Sequence, residues 1–245
     1  MSIKFELCIV IPCYNEAKFF RRKDYLQYID NHPFTLVCFV DDGSSDNTLG
    51  VLKSIQNKYP NRVDVVTYKK NKGKAGAVYL GMNYCNTHYN FVNIAYLDAD
   101  LAVSLEECTG LVNYLDDNIE FVFGSRIQRI GSTIERKTSR FLIGRVIATV
   151  ISQVLDLRVY DTQCGCKVFS HSLSQQVFTE SFISKWLFDV EIFFRIIKIY
   201  SYDEVLGKML EVPLIRWVDA GDSKVKLSYF YKLWIDLYKI RKAYR

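Results

Sequence analysis

Five short apolar runs, each followed by a polar stretch with helical spacing, restrict the fold of this chain more than any other feature. The runs are "ELCIVIPCY" (6–14), "TLVCFVDDG" (35–43), "VDVVTYK" (63–69), "FVNIAYLDAD" (91–100) and "FVFGSR" (121–126). Segments such as "TLGVLKSIQNKY" and "KAGAVYLGMNYC" carry apolar residues at helical spacing between them. Strands alternating with helices require right-handed crossovers and predict a mainly parallel sheet. The runs are continuously apolar, as in strands covered on both faces. Ser104 followed by Glu107 predicts a capping box that opens a further helix.

After Arg126 the pattern changes. The spacing predicts a long helix over 134–157, a loop-like segment "YDTQCGCKVF" (160–169), a helix over "DVEIFFRIIKIY" and a strand over "MLEVPLIRWV" (209–218). Leu227, Phe230, Trp234, Leu237 and Arg241 predict a C-terminal amphipathic helix. No Pro- or Gly-rich linker divides the 245 residues. The expectation is one domain over 1–245, its first part (1–126) binding one ligand and its second part (127–245) the other. The expected fold class is α/β, a Rossmann-like, mainly parallel sheet flanked by helices with a C-terminal helical elaboration.

The net charge of +5 is uneven. The last 23 residues hold seven basic side chains against Asp236, a net +6, so the rest of the chain sums to −1. A basic, aromatic tail of this kind meets anionic surfaces, expected to be a membrane and not nucleic acid, or else packs against the sheet. "FLIGRVIATVISQVLDL" (141–157) is interrupted by Arg145 and Gln153 and is too short to span a bilayer. No signal peptide is read at the start, and the seven scattered cysteines read as reduced thiols. The expected location is cytoplasmic, peripheral on the cytoplasmic face of a membrane. Cys164-Gly165-Cys166 has no second pair, so structural zinc is not expected.

In an open parallel sheet, ligands bind beyond the carboxyl ends of the strands. Pro12-Cys13-Tyr14-Asn15-Glu16, Asp41-Asp42-Gly43-Ser44 and Asp98-Ala99-Asp100 end three of the runs, and Arg126 ends a fourth. So many carboxylates along one edge repel one another unless a cation or a hydrogen-bonding ligand sits among them. Asp98 and Asp100, two apart, would point the same way in a strand and reach one hard cation, Mg²⁺ or Mn²⁺. The alternative is that they cap the following helix or face water. "VDDGSSDNT" (40–48) also reads as a turn in which Ser44 or Asp46 caps a helix, which leaves Asp41 and Asp42 unexplained. "KKNKGKAGA" (69–77) sets Lys72 and Lys74 around Gly73 at a helix start, where amides and lysines suit a diphosphate or form an ordinary basic loop. It matches neither a P-loop nor a dinucleotide fingerprint.

Taken in order, "IVIPCYNE", "VDDGSSDNT", "NKGKAGAV", "YLDADLAV" and "FGSR" resemble the family-2 inverting glycosyltransferases over roughly residues 5 to 130. The resemblance implies the nucleotide-sugar-binding GT-A fold. It implies that Pro12, Tyr14, Asn15, Glu16 and Asp42 hold the nucleotide, that Asp98 and Asp100 hold Mg²⁺ or Mn²⁺ on the sugar diphosphate, and that Lys74 touches the phosphates. "DTQCGCKVF" (161–169), "WLFDVEIFF" (186–194) and the arginines after "GSR" look like the dolichyl-phosphate β-glucosyltransferase branch, which uses UDP-glucose and a polyprenyl phosphate. On that likeness Arg126 and Arg140 bind the acceptor phosphate, with Arg136 adding charge and Gln163 lining the acceptor pocket. Two departures stand out: Cys166 replaces an aromatic, and Ala102 replaces the glutamine of the mannosyl branch.

The expected activity is inverting, metal-dependent transfer of a hexose from a UDP-sugar to a polyprenyl phosphate. A phosphate monoester is already anionic at neutral pH, so arginines matter more than a general base. One alternative is a transferase that extends a surface polysaccharide, for which Asp189 or Glu191 is the candidate base. Another is an inactive nucleotide-sugar-binding protein.

Overall fold

The computed structural model describes residues 4–135, 138–218 and 229–244, and the side chains of all of these except 138–140 and 229–231. In chain order the elements are β1 (Lys4–Cys13), α1 (Arg22–Asn31), β2 (Thr35–Asp41), α2 (Thr48–Lys58), β3 (Val63–Thr67), α3 (Lys74–His88), β4 (Asn90–Leu97), α4 (Leu105–Val112) and β5 (Phe121–Ser125). There follow β6 (Thr133–Glu135), α5 (Thr138–Leu155), β7 (Cys166–Ser170), α6 (His171–Val177), α7 (Phe188–Val205), β8 (Met209–Pro213), β9 (Arg216–Val218) and α8 (Tyr229–Tyr244). The fold is α/β, as the alternating runs predict.

Seven strands form one sheet in the order β3-β2-β1-β4-β7-β5-β8. β1 pairs in parallel with both β2 and β4, so the chain reverses its direction of travel across the sheet at the β1/β4 boundary. In open α/β sheets the crevice beyond the carboxyl ends of the strands at such a reversal is where ligands bind. The sheet is covered on both faces because alternate residues point opposite ways. Cys8, Val10, Cys38, Val40, Ile94 and Tyr96 face a layer built from α3, α5, α6 and α7. Leu7, Ile9, Ile11, Val37, Phe39, Ala95 and Leu97 face α1, α2 and α4. At Gly81 of α3 a β-carbon would collide with Val10 and Val40, so the missing side chain lets the helix settle onto the sheet.

Four expectations are corrected. Residues 166–170, read as loop, form β7, which is antiparallel to its neighbours β4 and β5. The helix expected over 134–157 begins only at Thr138, because Thr133–Glu135 pairs with Arg216–Val218 in a separate two-stranded sheet. The single strand expected over 209–218 breaks at Leu214 and Ile215, so its halves join different sheets. The capping box is half made: Ser104 Oγ accepts the Glu107 N–H at 3.0 Å, but the Glu107 carboxylate turns away and accepts the amides of Ile215 and Arg216. All seven cysteines are free and buried. The C-terminal amphipathic helix is present as α8, but its buried stripe is Leu233, Leu237 and Ile240, with Trp234 and Arg241 exposed; Leu227 and the side chain of Phe230 lie outside the described residues.

Candidate active site

The loops after β1 and β2 are stitched together by side chains that accept backbone amides. Asn15, held in the left-handed region at φ +53, donates its N–H to Ser44 Oγ at 3.0 Å and accepts the Ser45 N–H through Oδ1 at 2.8 Å. Asparagine tolerates this region better than most residues. The Glu16 N–H donates to Thr48 Oγ1 at 2.8 Å, and Asp46 accepts the Ala17 and Thr48 amides. Thus Asp46 orders the start of α2, as the turn reading predicts, while Ser44 serves Asn15 instead. These bonds leave Tyr14 standing out, 41% exposed, over the crevice, with Glu16 half-buried beside it.

Asp41 and Asp42 are both buried. Asp41 accepts the Thr67 hydroxyl at 3.1 Å and the Ser44 N–H at 3.3 Å. Asp42 accepts the Lys72 N–H at 2.7 Å and the Gly73 N–H at 2.8 Å. Burial raises the Asp42 carboxyl even though both amides oppose the shift. The amides around Gly73, expected to face a bound diphosphate, therefore face an anion of the chain itself. Gly73 turns at φ +82, and α3 begins directly after it at Lys74.

β4 ends at Leu97, so strand alternation does not aim Asp98 and Asp100. A turn does. The Leu101 N–H donates to the Asp98 carbonyl at 3.2 Å, Leu101 sits at φ +52, and Asp100 Oδ1 accepts the Ala102 N–H at 3.0 Å. Buried Tyr25 holds the turn from below by donating to the Ala99 carbonyl at 3.1 Å. On the other side the Asp98 N–H donates to the Gly165 carbonyl at 3.0 Å, and the Asp98 carboxylate fills the space a Gly165 side chain would need. Lys74 Nζ lies 2.5 Å from Asp98 Oδ1. Desolvation first, then the charge of Asp98, raises the Asp100 carboxyl.

Asp98 and Asp100 fit a hard divalent cation. They offer carboxylate oxygens on one short turn at the mouth of the crevice, and their mutual repulsion is not fully relieved. No group of three or more His, Cys, Asp or Glu side chains that could hold a metal occurs among the described residues. A divalent cation held by Asp98 and Asp100 alone would need water and phosphate oxygens to complete its shell.

On the far side, Arg126 follows β5 and meets Asp161 in a fork: Nε to Oδ2 at 2.6 Å and Nη2 to Oδ1 at 2.8 Å. Burial alone would raise the Asp161 carboxyl, but the charge and hydrogen bonds of Arg126 hold it at about 2. Glu211 fixes the segment by accepting the amides of Tyr160 and Asp161, each at 2.8 Å. Thr162 Oγ1 and Gln163 Nε2, in the same segment, are buried and have no hydrogen-bond partner among the described residues. Arg136 lies outside the described residues, and so does the side chain of Arg140 on α5.

Asp189 and Glu191, the candidate bases, are buried in bonds. Asp189 Oδ1 takes Lys167 Nζ at 2.6 Å and the Tyr96 hydroxyl at 2.5 Å. Glu191 takes Arg195 at 2.8 Å, the Tyr244 hydroxyl at 2.9 Å and the Ile183 N–H at 2.8 Å. Asp161, Lys167 and Gly165 were not singled out as anchors by sequence. Lys167 was detectable in principle, as a lone charge inside the apolar "CKVF".

Residues 8–178 match the family described as "Glycosyl transferase family 2". The chain is 31% identical to "Dolichyl-phosphate beta-glucosyltransferase ALG5C" of Trichomonas vaginalis over 252 residues, which is 96% of this chain and 71% of that one. It is 28% identical to the human "Dolichyl-phosphate beta-glucosyltransferase", covering 94% of this chain and 77% of that one. Among solved structures, mannosyl-3-phosphoglycerate synthase from Rubrobacter xylanophilus superposes with a TM-score of 0.69 at 17% identity, over 97% of this chain and 73% of that one. Glucosyl-3-phosphoglycerate synthase from Mycobacterium tuberculosis, solved with Mn²⁺, uridine-diphosphate-glucose and phosphoglyceric acid, gives 0.68 at 14% identity over 97% and 80%. These structural likenesses establish a GT-A glycosyltransferase fold.

Proposed function

This chain belongs to glycosyl transferase family 2, and from that premise we propose that it moves glucose from UDP-glucose to a polyprenyl phosphate with inversion at the anomeric carbon. The observation that carries the choice of acceptor is the burial of Asp189 and Glu191 in ion pairs with Lys167 and Arg195. A sugar hydroxyl must lose its proton during attack and needs a carboxylate base. Both candidate bases are committed to buried partners. A phosphate monoester is already an anionic nucleophile and needs only to be placed. The names of the relatives support the same acceptor class and a glucosyl donor.

In this reading residues 1–126 bind the donor and 127–245 the acceptor, within one domain. Pro12, Tyr14, Asn15 and Glu16 hold the nucleotide, with Asp42 shaping its pocket through the Lys72–Gly73 turn. A divalent cation on Asp98 and Asp100 would neutralise the departing diphosphate. The acceptor oxygen attacks the anomeric carbon from the opposite face while the bond to the UDP oxygen breaks. Arg126, kept in place by Asp161, offers positive charge at the acceptor side with Arg136 and Arg140, and Gln163 Nε2 supplies a donor.

No described helix is long and apolar enough to cross a membrane. Leu142, Ile143 and Val146 of α5 and Trp234, Ile235 and Tyr238 of α8 are nevertheless exposed, and α8 also carries Lys232, Lys239, Arg241 and Lys242. That combination supports a peripheral position on an anionic membrane surface, where a lipid-linked acceptor resides.

The test is a panel of UDP- and GDP-sugars with Mn²⁺ and a short polyprenyl phosphate, read as lipid-linked product. UDP-glucose is expected to give product. Transfer from GDP-mannose alone, or onto glycan hydroxyls alone, overturns the assignment. Asp100→Asn should lower turnover by about a hundredfold or more with the thermal midpoint unchanged.

A further inference from the structure

Lys74 occupies an unusual position for a residue expected to hold phosphate. Its backbone is tightly fixed. Gly73 immediately before it turns at φ +82, its N–H is held by Asp42 at 2.8 Å, and Lys74 itself is the first residue of α3. From that anchor the side chain reaches across the crevice mouth to Asp98 Oδ1 at 2.5 Å, with Phe188 beneath the ammonium at 5.8 Å from the ring centre. A side chain at Gly165 would run into Asp98 Oδ2, so Gly165 lies against that oxygen while Lys74 holds Oδ1. The lysine side chain remains 28% exposed.

A cation that uses Asp98 therefore approaches an oxygen already holding an ammonium. Without nucleotide, Lys74 must either give up its ion pair with Asp98 for water and the more distant charges of Asp189 and Asp100, or stay as a like charge beside the incoming metal. Both are unfavourable in a partly desolvated site. A sugar diphosphate removes the conflict, because its oxygens accept the displaced ammonium and its charge offsets that of the metal. Resting on the assignment of Asp98 and Asp100 as the cation ligands, we propose that Lys74 is a resident counter-ion that makes divalent-cation capture conditional on the nucleotide diphosphate. In the empty enzyme Lys74 neutralises Asp98. When donor and metal arrive together it transfers from the carboxylate to the diphosphate. By linkage, metal must then strengthen nucleotide binding by the same factor as nucleotide strengthens metal binding.

The experiment measures Mn²⁺ binding to the full chain by the loss of the free-ion paramagnetic resonance signal, with and without UDP, for wild type and Lys74→Met. Wild type is expected to bind Mn²⁺ weakly alone and much more tightly with UDP. Lys74→Met should bind nucleotide-free Mn²⁺ on the order of tenfold more tightly than wild type. It should also bind metal-free UDP more weakly, so the coupling between the two ligands shrinks. Nucleotide-free Mn²⁺ binding by Lys74→Met that is no tighter than wild type, including no detectable binding by either, overturns the proposal. Lys74→Gln, which keeps a hydrogen-bond donor for Asp98 and removes the charge, should shift in the same direction and serves if the methionine variant is unstable. Asp100→Asn separates the two levels of the argument: if it leaves Mn²⁺ binding with UDP unchanged, the cation site itself is misassigned, whatever Lys74 does.

Discussion

The two sides of the crevice use charge in opposite ways. On the side built from the loops after β1, β2 and β4, Glu16, Asp98 and Asp100 are half-buried or exposed, and their positions are set by backbone amides and tight turns. On the side built after Arg126, Lys167 pairs with Asp189 and Arg195 with Glu191 in the interior, and Arg126, half-buried, pairs with buried Asp161. The first arrangement leaves carboxylates able to exchange partners. The second fixes the scaffold, because a buried charge that loses its partner is costly to strand. Charge near the site is therefore no guide to function until its partner is known.

The contrast breaks most directly at Lys167. Its ammonium is wholly buried and donates to Asp189 at 2.6 Å and to the Cys164 carbonyl at 2.7 Å. Through Cys164 it braces the Gly165 carbonyl that receives the Asp98 amide. Lys167→Met should cost about 3–5 kcal/mol in urea unfolding, since it strands Asp189 in the interior. A loss below about 1 kcal/mol would place the pair in the surface class and erase the difference between the two sides.

A smaller effect, readable by pH, comes from Asp161. Its carboxyl lies at about 2 in the fold, against an ordinary value of 3.8. A carboxyl depressed on folding contributes stability that is fully present above its unfolded value. That contribution fades as pH falls from the ordinary carboxyl range toward about 2. The amount is about 2 kcal/mol. Unfolding free energies measured between neutral and acid pH should show this slope in wild type. Asp161→Asn, less stable at neutral pH, should lack it. Parallel curves would mean that the Arg126 fork contributes little.

These pairs also mark what the sequence could convey. Parallel strands and acidic strand ends are legible because they are local: β1, β2 and β4 each bring their polar residues directly after an apolar run. The buried pairs are not local. Arg126 and Asp161 are 35 residues apart, and Lys167 and Asp189 are 22 apart, so no spacing rule connects them. β7 was hidden for the same reason, since its five residues contain a lysine whose burial makes sense only once Asp189 is in place. β6 and β9, three residues each, are shorter than any period can reveal. Asp98–Asp100 reads as the end of a strand because the left-handed residue that makes the turn is Leu101, and a leucine gives no turn signal.

The smallest predicted effect tests how the two sides are joined. Glu107, in the first turn of α4, accepts the amides of Ile215 and Arg216, residues 108 and 109 positions away. Ser104 accepts the Glu107 amide and so starts the same helix. A capping box would couple these two side chains, because each would bond the other's backbone. Here Ser104 serves the helix while the Glu107 carboxylate serves the segment entering β9. Ser104→Ala and Glu107→Ala should therefore each cost about 1 kcal/mol. In the double variant the losses should add to within about 0.5 kcal/mol. A larger coupling would mean that Glu107 closes a capping box in solution, and the tie between α4 and β9 would then have to come from elsewhere, such as the 3.3 Å bond from the Val218 amide to the Ala102 carbonyl.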